Sequence, residues 1–220
     1  MKLLSTLVLA GATLAQAQTI AIVNRTKSFS DTFVKSVMNS VASQVHNEYK
    51  AKWGKDATFV FVGKNQSTSS SYWNIYVGQT TGDYHTTTTG SPSSGTPKGY
   101  VHVSGVSTDY WTNSVSHEVL EMRTDPYIDQ VAYMADGTAV SVEVCDACET
   151  NDQGYRIGSI LLSDFVYPNW FKPSATSSFD YRGLITAPYQ ILPGGYLPTA
   201  ARERAEMIEH RHASQDYYQH

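Results

Sequence analysis

The stretch TIAIVNRTKSFSDTFVKSVMNSVASQVHNEYKAKWGKDATFVFVG, from Thr19 to Gly63, sets the architecture. Its first eight residues, Thr19 to Thr26, are mostly apolar and β-branched, which predicts a buried strand opening the domain. Ser30 and Asp31 then offer N-cap side chains. Phe33, Val34, Val37, Met38, Val41, Val45 and Tyr49 recur at helical spacing, and Gly54 ends the pattern. ATFVFVG, Ala57 to Gly63, reads as a second buried strand, so the chain opens β-α-β. YWNIYVGQ, Tyr72 to Gln79, alternates and predicts a third strand.

Gly82 to Gly99 contains HTTTTGSPSSGTPKG and reads as a flexible polar loop, too short to separate two domains. YVHVSGV, Tyr100 to Val106, predicts another short strand, and an amphipathic helix follows it. VAYMADGTAVSVEVCDACE reads as a hairpin turning at Asp136-Gly137. From Ser163 onward the signals are loops and turns, with aromatics around prolines in DFVYPNWFKPS. No internal repeat is visible. The expected fold class is α+β: a mixed sheet, an N-terminal helix, a second helix carrying the site, and a loop-rich C-terminal half. Residues 18–198 form the expected single domain, and the charged stretch 199–220 reads as a helical or frayed tail.

The N-terminus, MKLLSTLVLAGATLAQAQ, has one lysine, a short apolar run and an Ala15-Gln16-Ala17 cleavage pattern. It predicts a secretory signal peptide over residues 1–17 and a secreted, extracellular protein. The apolar run is too short to span a bilayer, and no later segment is apolar enough. The net charge is −4 with no basic block, which argues against nucleic acid and anionic membrane as partners. In an oxidising compartment Cys145 and Cys148, spaced C-x-x-C, predict a short-loop disulfide in preference to a thiolate metal site. Asn24 and Asn65 head N-glycosylation sequons. Nothing in the sequence fixes an oligomeric state.

WTNSVSHEVLEMRTDPY, Trp111 to Tyr127, carries the chemistry. At ~100° per residue, Trp111, Val115, Val119 and Met122 form one stripe, while Ser114, His117, Glu118, Glu121 and Asp125 fall on the other side. A solvated face would mix signs, with lysine or arginine one turn from each acid. Here the acids lack a basic partner in the helix, so a divalent cation between them explains the pattern. His117 and Glu121, one turn apart and about 5–6 Å between Cβ atoms, suit convergence on one ion. Glu118 lies beside them, placed to act as a general base.

His117-Glu118-x-x-Glu121 differs by one letter from H-E-x-x-H, and the strand Tyr100-Val101-His102-Val103-Ser104 precedes it. In this order of elements the chain resembles the zincin metallopeptidases, over residues 19–126. SHEVLEM, EVCD and GGY also look like a group of secreted and bacterial zincin-related proteins with Glu in the second histidine position. The resemblance implies His117 and Glu121 as metal ligands, Glu118 as catalytic base and a zincin-like sheet. Zinc is the favoured ion. Glutamate in place of histidine adds negative charge, weakens the Lewis acid and makes calcium or manganese more competitive.

The third ligand stays open between Glu143, Asp146 and Asp125, in that order of preference. Glu143 and Asp146 compete, because residues three apart on a regular strand face opposite ways. His102 reads as a surface or core histidine. A peptidase acting on peptide or protein substrates is the first expectation, with Tyr155, Tyr196 or His102 stabilising the oxyanion. A non-catalytic metal-binding module, with Tyr167 to Phe171 as an aromatic binding surface, is the second. A glycosidase pairing Glu118 with Glu143 is the third.

Overall fold

The computed structural model describes residues 18–79, 82–87 and 95–199. The expected signal peptide and all but the first residue of the expected tail lie outside these residues. Five strands, β1 (Gln18–Asn24), β2 (Ala57–Val62), β3 (Trp73–Gln79), β4 (Tyr84–Thr87) and β5 (Pro97–His102), form one sheet in the order β2-β1-β3-β5-β4. The first three pairings are parallel and β4 runs antiparallel to β5. The architecture is therefore α/β with a mixed sheet, and two small hairpins follow it. β4 falls inside the segment expected to be loop, and β5 begins three residues before the expected strand.

Helix α1 (Asp31–Gln44) starts where Ser30 Oγ accepts the Phe33 N–H. It widens into a π-turn over Val45–Tyr49 and closes with α2 (Lys50–Trp53). Gly54, at φ 68°, caps it in the left-handed conformation and donates to Lys50 O. The π-turn carries Tyr49, whose hydroxyl bonds Thr124 Oγ1 at 2.7 Å. That bond ties the first helical unit to the end of α3 (Thr108–Thr124).

Both α1 and α3 pack on one face of the sheet. Ile20 and Ile22 of β1, Ile75 and Val77 of β3 and Val101 of β5 join Val34, Val37 and Val41 of α1 in the main core. Alternation sends Ala21 and Val23 into a separate small cluster. Trp111 of α3 is fully buried against Phe29 and Phe33, with ring centroids 4.8 and 5.7 Å away. The polar side of α3 is not a solvent face, since Glu118 and Glu121 are buried. On its Ser116 side α3 also packs against β9 (Ile160–Leu162). Ser163 N donates to Ser116 Oγ at 2.6 Å there, and Gln44 Nε2 reaches Ser163 O.

β6 (Val131–Tyr133) and β7 (Ala139–Ser141) form the expected hairpin, with Gly137 at φ 85° in its loop. β7 ends at Ser141, so Glu143 lies in irregular chain. β8 (Tyr155–Ile157) pairs with β9. Tyr167 and Trp170 are buried, with the Trp170 indole N–H donating to Gln190 O, so the DFVYPNWF aromatics are a packed corner and not a binding surface.

Candidate metal centre

Helix periodicity places His117, Glu118 and Glu121 on one side of α3, as the sequence implies, but at the floor of a cavity and not in bulk solvent. Glu118 and Glu121 are each 4% exposed. His117 Nε2 lies 2.9 Å from Glu121 Oε2 and 3.3 Å from Asp146 Oδ1. Asp146 opens a single 3-10 turn, Asp146–Cys148. Three bonds from backbone N–H groups hold that turn: Cys145 N donates to the Glu121 side-chain Oε1, Leu192 N to Ala147 O and Tyr196 N to Asp146 O. Gly195 makes the last contact possible, because a Cβ there would sit 2.6 Å from Asp146 O.

The second histidine at the site is His85, which was hidden in the polar loop of the sequence. On β4 it pairs with Gly99 of β5, and alternation turns it to the helix-covered face. Its Nδ1 lies 3.5 Å from Glu118 Oε2 and 4.0 Å from Glu121 Oε2. Gly99 leaves space for Ile75 beside this meeting. A Cβ at Gly99 would come within 3.7 Å of Glu118 Cβ and 2.5 Å of Ile75 Cδ1. The β-branched run after His85 was the available strand signal; the surrounding Gly, Ser and Pro obscured it.

Three sets of donors have ligand atoms all within 4.8 Å of one another: His117, Glu121 and Cys145; His85, Glu118 and Glu121; His117, Asp146 and Glu149. Two ligands about 2.1 Å from a tetrahedral ion lie roughly 3.4 Å apart, so the 2.9 Å His117–Glu121 and 3.3 Å His117–Asp146 spacings each suit a pair of ligands on a cation. Two buried oxygens, Glu118 Oε2 and Asp146 Oδ1, accept no well-directed hydrogen bond. Such groups are costly unless something positive joins them. The residues present can therefore hold a metal ion, whose identity the donors leave open.

The electrostatics agree. Burial alone would lower the His117 pKa, but the Glu121 and Asp146 carboxylates reverse this and hold the ring well above its ordinary value. Burial raises the Glu118 carboxyl, against the opposing pull of His85 and His117. Burial and the Glu121 charge push Asp146 up to about 7, and burial with the Asp146 and Glu121 charges brings Glu149 to about 7. The site holds more acid than its own bases neutralise.

Of the expected third ligands, the structure brings Asp146 to His117. Glu143 is buried but belongs to none of the three donor sets and does not line the cavity. Asp125, also buried, accepts from the N–H groups of Asp129 and Gln130 and serves as a turn acceptor beyond the helix end. A cavity of about 450 Å³ opens above the cluster, bordered by Asp83, Tyr110, His117, Glu118, Glu149 and Tyr196. Tyr196 stands beside Asp146 at the cavity, whereas Tyr155 bonds Glu48 and Gln44 away from it.

No protein-family model matches the chain, and no significant match exists among curated proteins or solved structures. No described helix is long and apolar enough to cross a membrane.

Two expectations need correction. Cys145 and Cys148 are buried free thiols and not a disulfide. They flank a tight turn in which Cys145 Sγ faces His117 O at 3.9 Å and both side chains pack in the core. Burial raises both thiol pKa values far above the ordinary range, so neither is a ready nucleophile. The Asn24 sequon is unavailable in the folded chain: the side chain is buried, bonding Asp31 Oδ1 at 2.7 Å and the Thr26 N–H. Asn65 sits exposed on a turn.

Proposed function

We propose that the protein is a metal-dependent hydrolase of peptide bonds, with His117, Glu121 and Asp146 holding one divalent cation and Glu118 as general base. The observation that carries this reading is the placement of His117 Nε2 between two buried carboxylate oxygens, with the Glu118 carboxyl alongside on the floor of an open cavity. The His117-Glu118-x-x-Glu121 resemblance to zincins supports it.

A dication at such a site supplies charge that polarises a carbonyl and lowers the proton affinity of water. Glu118 takes the proton. Its burial raises its basicity, and His85 at 3.5 Å orients the carboxyl. Tyr196 keeps its proton, through burial of its hydroxyl and the neighbouring Asp146 and Glu121 charges, and stands at the cavity wall beside the Asp146 carboxylate. Zinc fits the histidine and carboxylate donors; their high acid content also suits manganese or calcium.

The test is elemental analysis after dialysis, followed by digestion of a peptide library with protein loaded in turn with zinc, manganese and calcium. His117→Ala should lose the ion. At matched occupancy Glu118→Gln should keep it and lower turnover by ~10²–10⁴. A protein that binds the ion and cleaves nothing in any metal form is a metal-binding module. The weak Lewis acidity expected of a carboxylate-rich site favours that second reading.

A further inference from the structure

The cavity above the cluster has a one-sided chemistry. Among the described residues no lysine or arginine lines it. Asp83, Glu118, Glu149 and Asp152 do, and Glu121 and Asp146 lie beneath His117. One dication cancels only two of these six carboxyl groups, so the cavity stays acidic when the metal site is filled.

Asn113 supplies an independent observation. It is 5% exposed and lines the same cavity. Its Nδ2 donates to Glu149 O at 2.8 Å and to Asn151 Oδ1 at 3.3 Å. A carbonyl oxygen can only accept, so this bond fixes which amide atom is nitrogen. Its Oδ1 accepts nothing. A buried acceptor without a donor is costly, and a ligand N–H would remove that cost. The free Oδ1 of Asn113 and the acids around it ask for a donor-rich, positively charged partner.

The walls fit the same partner. Tyr110 and Tyr196, 44% and 41% exposed, border the opening. Their hydroxyls lie beside the Asp83 and Asp146 carboxylates. The rings at the opening offer faces on which a guanidinium or ammonium can rest.

We propose that the cavity seats a basic side chain, lysine or arginine, of the peptide substrate. This specificity rests on the hydrolase reading, but the seat binds a cation whether or not cleavage follows. Asp152, exposed at the rim, adds long-range attraction to the contacts made deeper by Asn113 and Glu149.

The experiment has two arms, both on metal-loaded protein. In the first, N-acetyl-arginine amide and N-acetyl-norleucine amide are titrated by NMR at low and high salt. The arginine amide should bind at least ~10-fold tighter, and the margin should shrink as salt screens the charges. Asp152→Lys should weaken arginine binding ~3–10-fold, the scale of a partly exposed charge, and leave the norleucine amide unchanged. In the second arm, matched peptides carrying lysine, arginine, norleucine or glutamate beside one bond are digested. The basic peptides should be cut at least ~10-fold faster.

Cleavage indifferent to the basic residue overturns the seat and leaves the hydrolase reading standing. If nothing is cleaved, the hydrolase reading fails and the binding arm decides: arginine-selective, salt-sensitive binding upholds the seat, and equal or absent binding of the two amides overturns it.

Discussion

Replacing Asp164 with asparagine should stabilise the protein at pH 8 and leave it nearly unchanged at pH 4.5. Asp164 is fully buried, and its Oδ1 accepts from the N–H groups of Phe165 and Arg182. Its carboxyl also shares a side-chain hydrogen bond with Asp180, whose two oxygens accept from Leu184 and Ile185. Two facing carboxyl groups can hydrogen-bond only through a proton, and Asp164 Oδ2 has no other donor. Burial, followed by the Asp180 bond and charge, pushes the Asp164 pKa from 3.8 up to about 8. Between those values the folded protein keeps a proton that the unfolded chain has released. Stability contributed by this group is therefore full below pH ~4, falls as pH rises, and is gone above about 8.

At ~1.4 kcal/mol per pH unit the ceiling is roughly 6 kcal/mol. Relaxation and water entry around the ionised pair reduce this, and a loss on the order of 1–3 kcal/mol is expected. Asparagine keeps an Oδ1 for the two N–H groups and supplies a permanent Nδ2 donor to Asp180. Urea denaturation of both proteins at pH 4.5, 6 and 8, with chelator throughout, measures the difference. The relevant quantity is wild type against variant, because Asp146 and Glu149 drift in the same direction. A variant less stable than wild type at pH 8, or a difference that ignores pH, refutes the shared proton.

Gly99→Ala should destabilise by about 1–3 kcal/mol, because its Cβ meets Ile75 Cδ1. Adding Ile75→Val, which removes that δ-carbon, should recover part of the loss, and strictly additive denaturation energies would show that the contact is not the cause. Alkylation under denaturing, non-reducing conditions should label both Cys145 and Cys148, and the same reagent should react slowly with native protein. Failure to label either one after denaturation would mean the pair is oxidised.

The first half of the fold was legible because its signals are local. Strand β1, the Ser30 cap, the α1 periodicity and the Gly54 stop are each decided within a few residues. The pairing of His117, Glu118 and Glu121 was legible for the same reason, since helical periodicity alone brings them together. Asp146 was ranked below Glu143 because the extent of the hairpin decides which acid returns to α3. That depends on the Cys145 and Tyr196 backbone bonds, which no local pattern records. His85 needed the antiparallel β4–β5 register, a relation between segments separated by a polar run.

The turn that carries Asp146 is held at one end by Glu121 and at the other by residues 192–196. During synthesis the helix with His117 and Glu121 leaves the ribosome about 70 residues before Gly195 does. Until those last residues arrive, Asp146 lacks the strap that sets its position. If the proposed ion is held there, its tight uptake would mark a chain in which residues 192–196 have docked, and a metal-sensitive probe would report completion of the whole domain, not of the helix that bears the motif.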